Sequence, residues 1–200
     1  MISKIRGGIL SCIGLILINI IRSIVMIPSL ELDNFMIYIL IIQIGTLWFN
    51  ISLWIVIKYD LTVINELDDL KKPLHWLIRN LAIVLGASIL STFFPNRGFY
   101  VLILITGLVL FVNYIIVFVR FYRLDKHDLE FVGDLHSYVI SMILLAIVSG
   151  IINALSELIW HADYDFILYS LSAIPIVFLM RFLIREKNDI EKKQSQYSID

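Results

Sequence analysis

Residues 99–119 read FYVLILITGLVLFVNYIIVFV, with no charged side chain from one end to the other. A helix rises about 1.5 Å per residue, so about 20 residues cross the roughly 30 Å hydrocarbon core of a bilayer. The run is long enough, and it has neither the polar stripe of a surface helix nor the alternation of a barrel strand. In hydrocarbon no water satisfies the backbone N–H and C=O groups, so a run of this kind must be helical. Working outward, five more stretches have the same character: 8–28, 35–57, 77–94, 138–158 and 166–184. The run at 77–94 is the shortest and carries Arg79 and Asn80 near its start. The predicted fold is all-α: a polytopic membrane helical bundle with six transmembrane helices over residues 1–185. A polar tail, 186–200, is predicted to be disordered and cytoplasmic.

Composition agrees with that reading. Of 200 residues, 60% are hydrophobic and 16% charged, with a mean hydropathy of +0.89. An average soluble domain is about 45–50% apolar and about 25% charged. A net charge of −1 provides no basic excess for nucleic acid. The single cysteine, Cys12, lies in the first run and cannot form an intramolecular disulfide. Lys4 and Arg6 precede that run as they would in a signal peptide. No small-residue cleavage site follows, so the run is expected to remain as the first membrane helix.

Basic residues set the orientation. Fourteen of the 16 lysines and arginines fall at one set of helix ends: Lys4, Arg6, Lys58, Lys71, Lys72, Arg79, Arg120, Arg123, Lys126, Arg181, Arg185, Lys187, Lys192 and Lys193. Only Arg97 falls in an opposite loop, and Arg22 lies within the first run. The expectation is a multi-pass protein of the inner (plasma) membrane with both termini in the cytoplasm. The opposite loops are short and acidic, with Glu31, Asp33, Asp163 and Asp165. Trp76, Tyr100 and Trp160 fall at span boundaries, where amphipathic rings favour the headgroup level. The loop at 58–76 reads as solvated; Leu61, Ile64, Leu67 and Leu70 recur in it at a spacing that an interfacial helix would also explain.

The chain also carries signs of three αα-hairpin repeats. Lys58–Tyr59, Arg120–Phe121 and Arg181–Phe182 end alternate helices, and LAIVLG at 81–86 matches LAIVSG at 145–150 in five of six positions. Chains rich in Ile, Leu, Val and Ala match themselves readily, so chance remains the competing explanation.

Polar and small residues inside the spans are the candidate functional positions. Small residues let helix backbones approach closely, which predicts packing seams at Ala82 and Gly86 and at Ala146, Gly150 and Ala154, with Gly14, Gly45 and Gly107 as single small residues near mid-depth in other helices. Intramembrane polar groups are costly unless paired. By depth they form two groups. The outer one is Asn19, Arg22, Asn153 and Glu157, with Arg22 expected to pair with Glu157, Asp163 or Asp165. The inner one is Asn50, Arg79, Asn80 and Asn113. Pro175 should kink the last span and free a carbonyl near Leu171. His161, Asp163 and Asp165 form an outer group that reads as solvated loop before it reads as a cation site.

No phosphate-binding loop, dinucleotide fingerprint, HExxH, GxSxG or paired CxxC is present. No cofactor, metal or catalytic residue is implied. The expected partners are the bilayer and a second membrane protein or a second copy of the chain. Small size and small loops favour a non-enzymatic accessory, regulatory or immunity-like membrane protein. A small transporter or channel component with a polar intramembrane site is the alternative, followed by a membrane enzyme acting on lipid or peptide.

Overall fold

The computed structural model describes residues 1–25, 35–94, 97–125, 129–155 and 165–197. They form α1 (Ile2–Val25), α2 (Phe35–Tyr59), α3 (Lys71–Phe93), α4 (Arg97–Arg123), α5 (Val132–Leu155), α6 (Asp165–Leu171) and α7 (Ala173–Tyr197). No strand occurs among the described residues. Six helical segments are long and apolar enough to cross a membrane, with α6 and α7 together supplying the sixth. The chain is a multi-pass helical membrane protein.

Neighbouring spans pack in a ring: α1 on α2, α2 on α3, α3 on α4, α4 thinly on α5, α5 on α7, and α7 back on α1. The α1–α2 seam is the tightest, and glycine makes it so. A Cβ at Gly14 would lie 2.6 Å from the Phe49 ring, and one at Gly45 would lie 2.6 Å from Ile18. The small-residue seams expected on α3 and α5 are looser. A Cβ at Gly86 or Gly150 meets nothing within 4 Å, and Ala146 is exposed. Ala82 is half-buried, and the side chain of Ala154 lies outside the described residues. Sequence shows that a residue is small but not whether a neighbour uses the space.

Two helices run past their predicted ends. The segment after α2 is not a solvated loop: Asp60–Ile64 continues α2 as a π-helical turn, and Asp68–Leu70 forms a 3-10 turn into α3. Leu61 and Leu70 are buried there, plugging the base of the bundle. Glu66 joins the two turns at φ 55°, a left-handed conformation that costs a non-glycine residue about 1–2 kcal/mol. Residues 186–197, predicted disordered, are helical as the last turns of α7. Glu186 and Ile190 are buried, and Glu191 pairs with Arg6 of α1 at 3.4 Å.

The core occupies one end of the ring, the end that gathers the basic residues, called the basic end below. Trp54 is at its centre, with Tyr114 at 6.0 Å, Tyr138 at 6.1 Å and Phe121 at 6.5 Å between ring centroids. Leu74, Leu77, Leu135 and Phe182 close around them with no exposed surface. Toward the far end, Ser23, Val25, Ile42 and Ala87 are the buried side chains among the described residues.

Candidate functional site

The last span breaks at Ser172, between α6 and α7. Pro175 lacks an N–H, so the Leu171 carbonyl has no donor one turn on. Ser172 bonds within the turn before it: its N–H donates to the Leu168 carbonyl at 3.0 Å and its hydroxyl to the Tyr169 carbonyl at 2.6 Å. Beside the break is a chamber of about 210 Å³ inside the ring. Asn19 of α1, Asn50 and Trp54 of α2, Tyr114 of α4, Tyr138 of α5, and Ser172 and Pro175 face it. Aliphatic side chains, among them Leu15, Met142 and Leu179, complete the wall.

The polar atoms of the chamber are held in place. The Asn50 amide donates to the Thr46 carbonyl at 2.9 Å, which leaves the side-chain oxygen as its acceptor. The Trp54 indole N–H donates to the Tyr114 hydroxyl. Among the described residues the lining has amides, hydroxyls and ring faces, and no carboxylate, ammonium or guanidinium. A site of this kind hydrogen-bonds a neutral polar group, and its ring faces attract a soft cation.

The two groups predicted by depth are therefore rearranged. Asn19 of the outer group and Asn50 of the inner one share the chamber. Arg22 meets Tyr169: it donates to the hydroxyl at 3.0 Å and lies 3.9 Å from the ring centroid. Beside it Ser170 donates to Ser23 at 2.9 Å, so α6 is fastened to the far end of α1. Glu157 and Asp163, and the side chains of Asn153 and Asp165, lie outside the described residues, as does His161. In the inner group, Arg79 is exposed, 5.2 Å from the Trp76 ring centroid. Asn80 and Asn113 each have a buried side-chain nitrogen with no hydrogen-bond partner. Gln43, a lone polar residue in the second run, accepts from Thr92 at 3.1 Å.

Sequence reading passed over a second polar region, at the basic end. Asp134 in the first turn of α5 is buried between Arg181 at 3.4 Å and Arg185 at 3.2 Å on α7. Its Oδ2 is close to Arg185 without hydrogen-bond alignment, so charge rather than geometry holds that contact. Asp60 and Glu186, in sequence-distant elements, are also buried at this end. A usable signal existed for Asp134: an acid opening a helix, opposite basic residues four apart on another. None existed for Asp60, which reads as one more loop acid. Comparison with family models, with curated proteins and with solved structures finds no match to this chain.

Proposed function

We propose that the chain is a small membrane carrier or ligand-responsive channel component that holds a neutral polar or weakly cationic molecule in the chamber beside the broken span. It lies in the plasma membrane with the basic end and both termini in the cytoplasm. The observation that carries the reading is the chamber itself. Asn19, Asn50, Tyr114, Tyr138 and Ser172 come from five different elements to line one intramembrane space. Discontinuous helices at membrane depth are tolerated where they line a cavity, and membrane carriers place substrate there. The lack of any cation in the lining argues against a carboxylate or phosphate as ligand.

The test is uptake into liposomes reconstituted with the full chain, using glycerol as the neutral probe and choline as the cationic one. Uptake of at least one should exceed that of protein-free liposomes. Asn50→Leu should cut it about tenfold, the equivalent of one buried hydrogen bond. No uptake of either probe, together with no ligand-induced rise in melting temperature, would remove the reading. Orientation is checked by labelling. Cysteines at Asp33 and Asp163 should react from outside the cell and one at Asp68 should not, against the buried native Cys12.

A second reading, a non-enzymatic accessory or regulatory subunit, is favoured by α4. That helix buries the smallest share of its length of the six, and an apolar groove of about 510 Å³ runs between it and α5. The exposed Ala146–Gly150 face borders it. A stoichiometric membrane protein retained through gentle purification would favour this reading over transport.

A further inference from the structure

Asp60 opens the π-helical turn that carries on from α2, with none of its surface exposed. A helix C-terminus carries partial negative charge, so an acid is electrostatically misplaced there. Glu186 of α7, 5% exposed, is the charged group that faces it. Asn65 joins the two: its side-chain nitrogen is 3.2 Å from the Asp60 carbonyl and 3.5 Å from Asp60 Oδ2, and its side chain hydrogen-bonds Glu186. The π-helical turn brings Asn65 into reach, since its backbone N–H closes on the Asp60 carbonyl at 3.1 Å.

Several cations at this end are committed elsewhere. Lys4 is 3.9 Å from the Tyr59 ring centroid, and Arg6 pairs with Glu191 at 3.4 Å. Arg181 and Arg185 clamp Asp134, and Lys193 pairs with Asp189 at 2.6 Å. Glu186 also feels Asp189 and Glu130, both acids, and Lys193 from a distance. Among the described residues no ion pair reaches Asp60 or Glu186. Asp60 Oδ1 is buried with no hydrogen-bond partner at all. One unpaired buried carboxylate costs several kcal/mol, and a second facing it adds repulsion. Among the described residues the arrangement is short of one positive charge.

We infer that Asp60 and Glu186 form a binding site for a single small positive charge, a proton or a sodium ion, at the basic end of the bundle. Both acids offer oxygen, as a hard cation requires, and two carboxylates fall well short of the 6–8 oxygens that Ca²⁺ takes; the Asn65 amide presents its N–H side and steadies Asp60 rather than ligating. A proton would sit on one acid and be shared with the other; a sodium ion would lie between them. The site stands apart from the chamber and does not depend on it.

The experiment is the melting temperature of the purified full chain in two series. The first runs from about pH 5.5 to about pH 8.5 without sodium. A proton held by the folded pair and released on unfolding makes stability fall as pH rises, by about 3–6 °C for a chain of this size. The second adds NaCl to ~150 mM at the alkaline end, against choline chloride at equal ionic strength. A rise with sodium alone identifies the ion. Asp60→Asn and Glu186→Gln keep shape and remove one charge each. Both should abolish the response and melt above the wild type at alkaline pH. If one variant fails to fold, the other decides. A wild type indifferent to both series overturns the inference, as does a response that survives undiminished in either folded variant.

Discussion

The two ends of the bundle are held together by different forces. At the basic end, Leu61, Leu70, Leu74, Leu135 and Phe182 are fully enclosed around Trp54, and Asp134 is clamped by two arginines. At the far end, α1 meets α6 through Arg22–Tyr169 and Ser23–Ser170, and buried apolar side chains are sparse among the described residues. The difference follows from the solvent. Between helices in lipid no hydrophobic effect operates, because acyl chains are as apolar as leucine. Leu61, Leu70 and Leu129 belong to turns and connections at the water-facing base, where removing apolar surface from water is worth about 25 cal/mol per Å². A membrane bundle can therefore be built like a soluble core at one end and like a loose helix cluster at the other.

The largest test of that contrast is truncation at the basic end. Phe121→Ala should cost about 3–5 kcal/mol and Leu135→Ala about 2–5 kcal/mol in reversible unfolding from micelles. Leu108→Ala, on a residue 62% exposed, should stay within about 0.5 kcal/mol. If Ile42→Ala at the far end costs as much as Leu135→Ala, the contrast fails. Next come the glycines. Gly14→Ala must displace the Phe49 ring and should cost about 1–3 kcal/mol. Gly150→Ala meets open space and should be neutral or stabilising by up to about 1 kcal/mol through helix propensity. Asp134→Asn should cost about 1–2 kcal/mol, because Arg181 and Arg185 are 57% and 40% exposed and recover water when released. The smallest effect is at the far end. A double-mutant cycle of Arg22→Ala with Tyr169→Phe should give a coupling of about 0.5–1.5 kcal/mol, and strict additivity would break the pairing.

The six spans were legible because span length and charge exclusion are local properties, readable without neighbours. Pro175 was legible for the same reason: the missing N–H is a property of one residue, though where a kink is expected the helix is interrupted outright at Ser172. What escaped depended on partners. Gly14 and Gly86 look alike in sequence, and only Phe49 distinguishes them. Asn19 and Asn50 were assigned to different depths, yet the chamber is tall enough to touch both. Tyr169 gave no sign that it would take Arg22, and the polar tail gave no sign that Ile190 would find a pocket and carry the helix through Tyr197.

The break at Ser172 makes the last span two arms rather than one rod. The short arm, α6, is tied to the far end of α1, while the long arm, α7, is anchored at the base to both α1 and α5. The two arms therefore take their hold from opposite ends of the bundle, and the residue where they part, Ser172, is also a wall of the chamber.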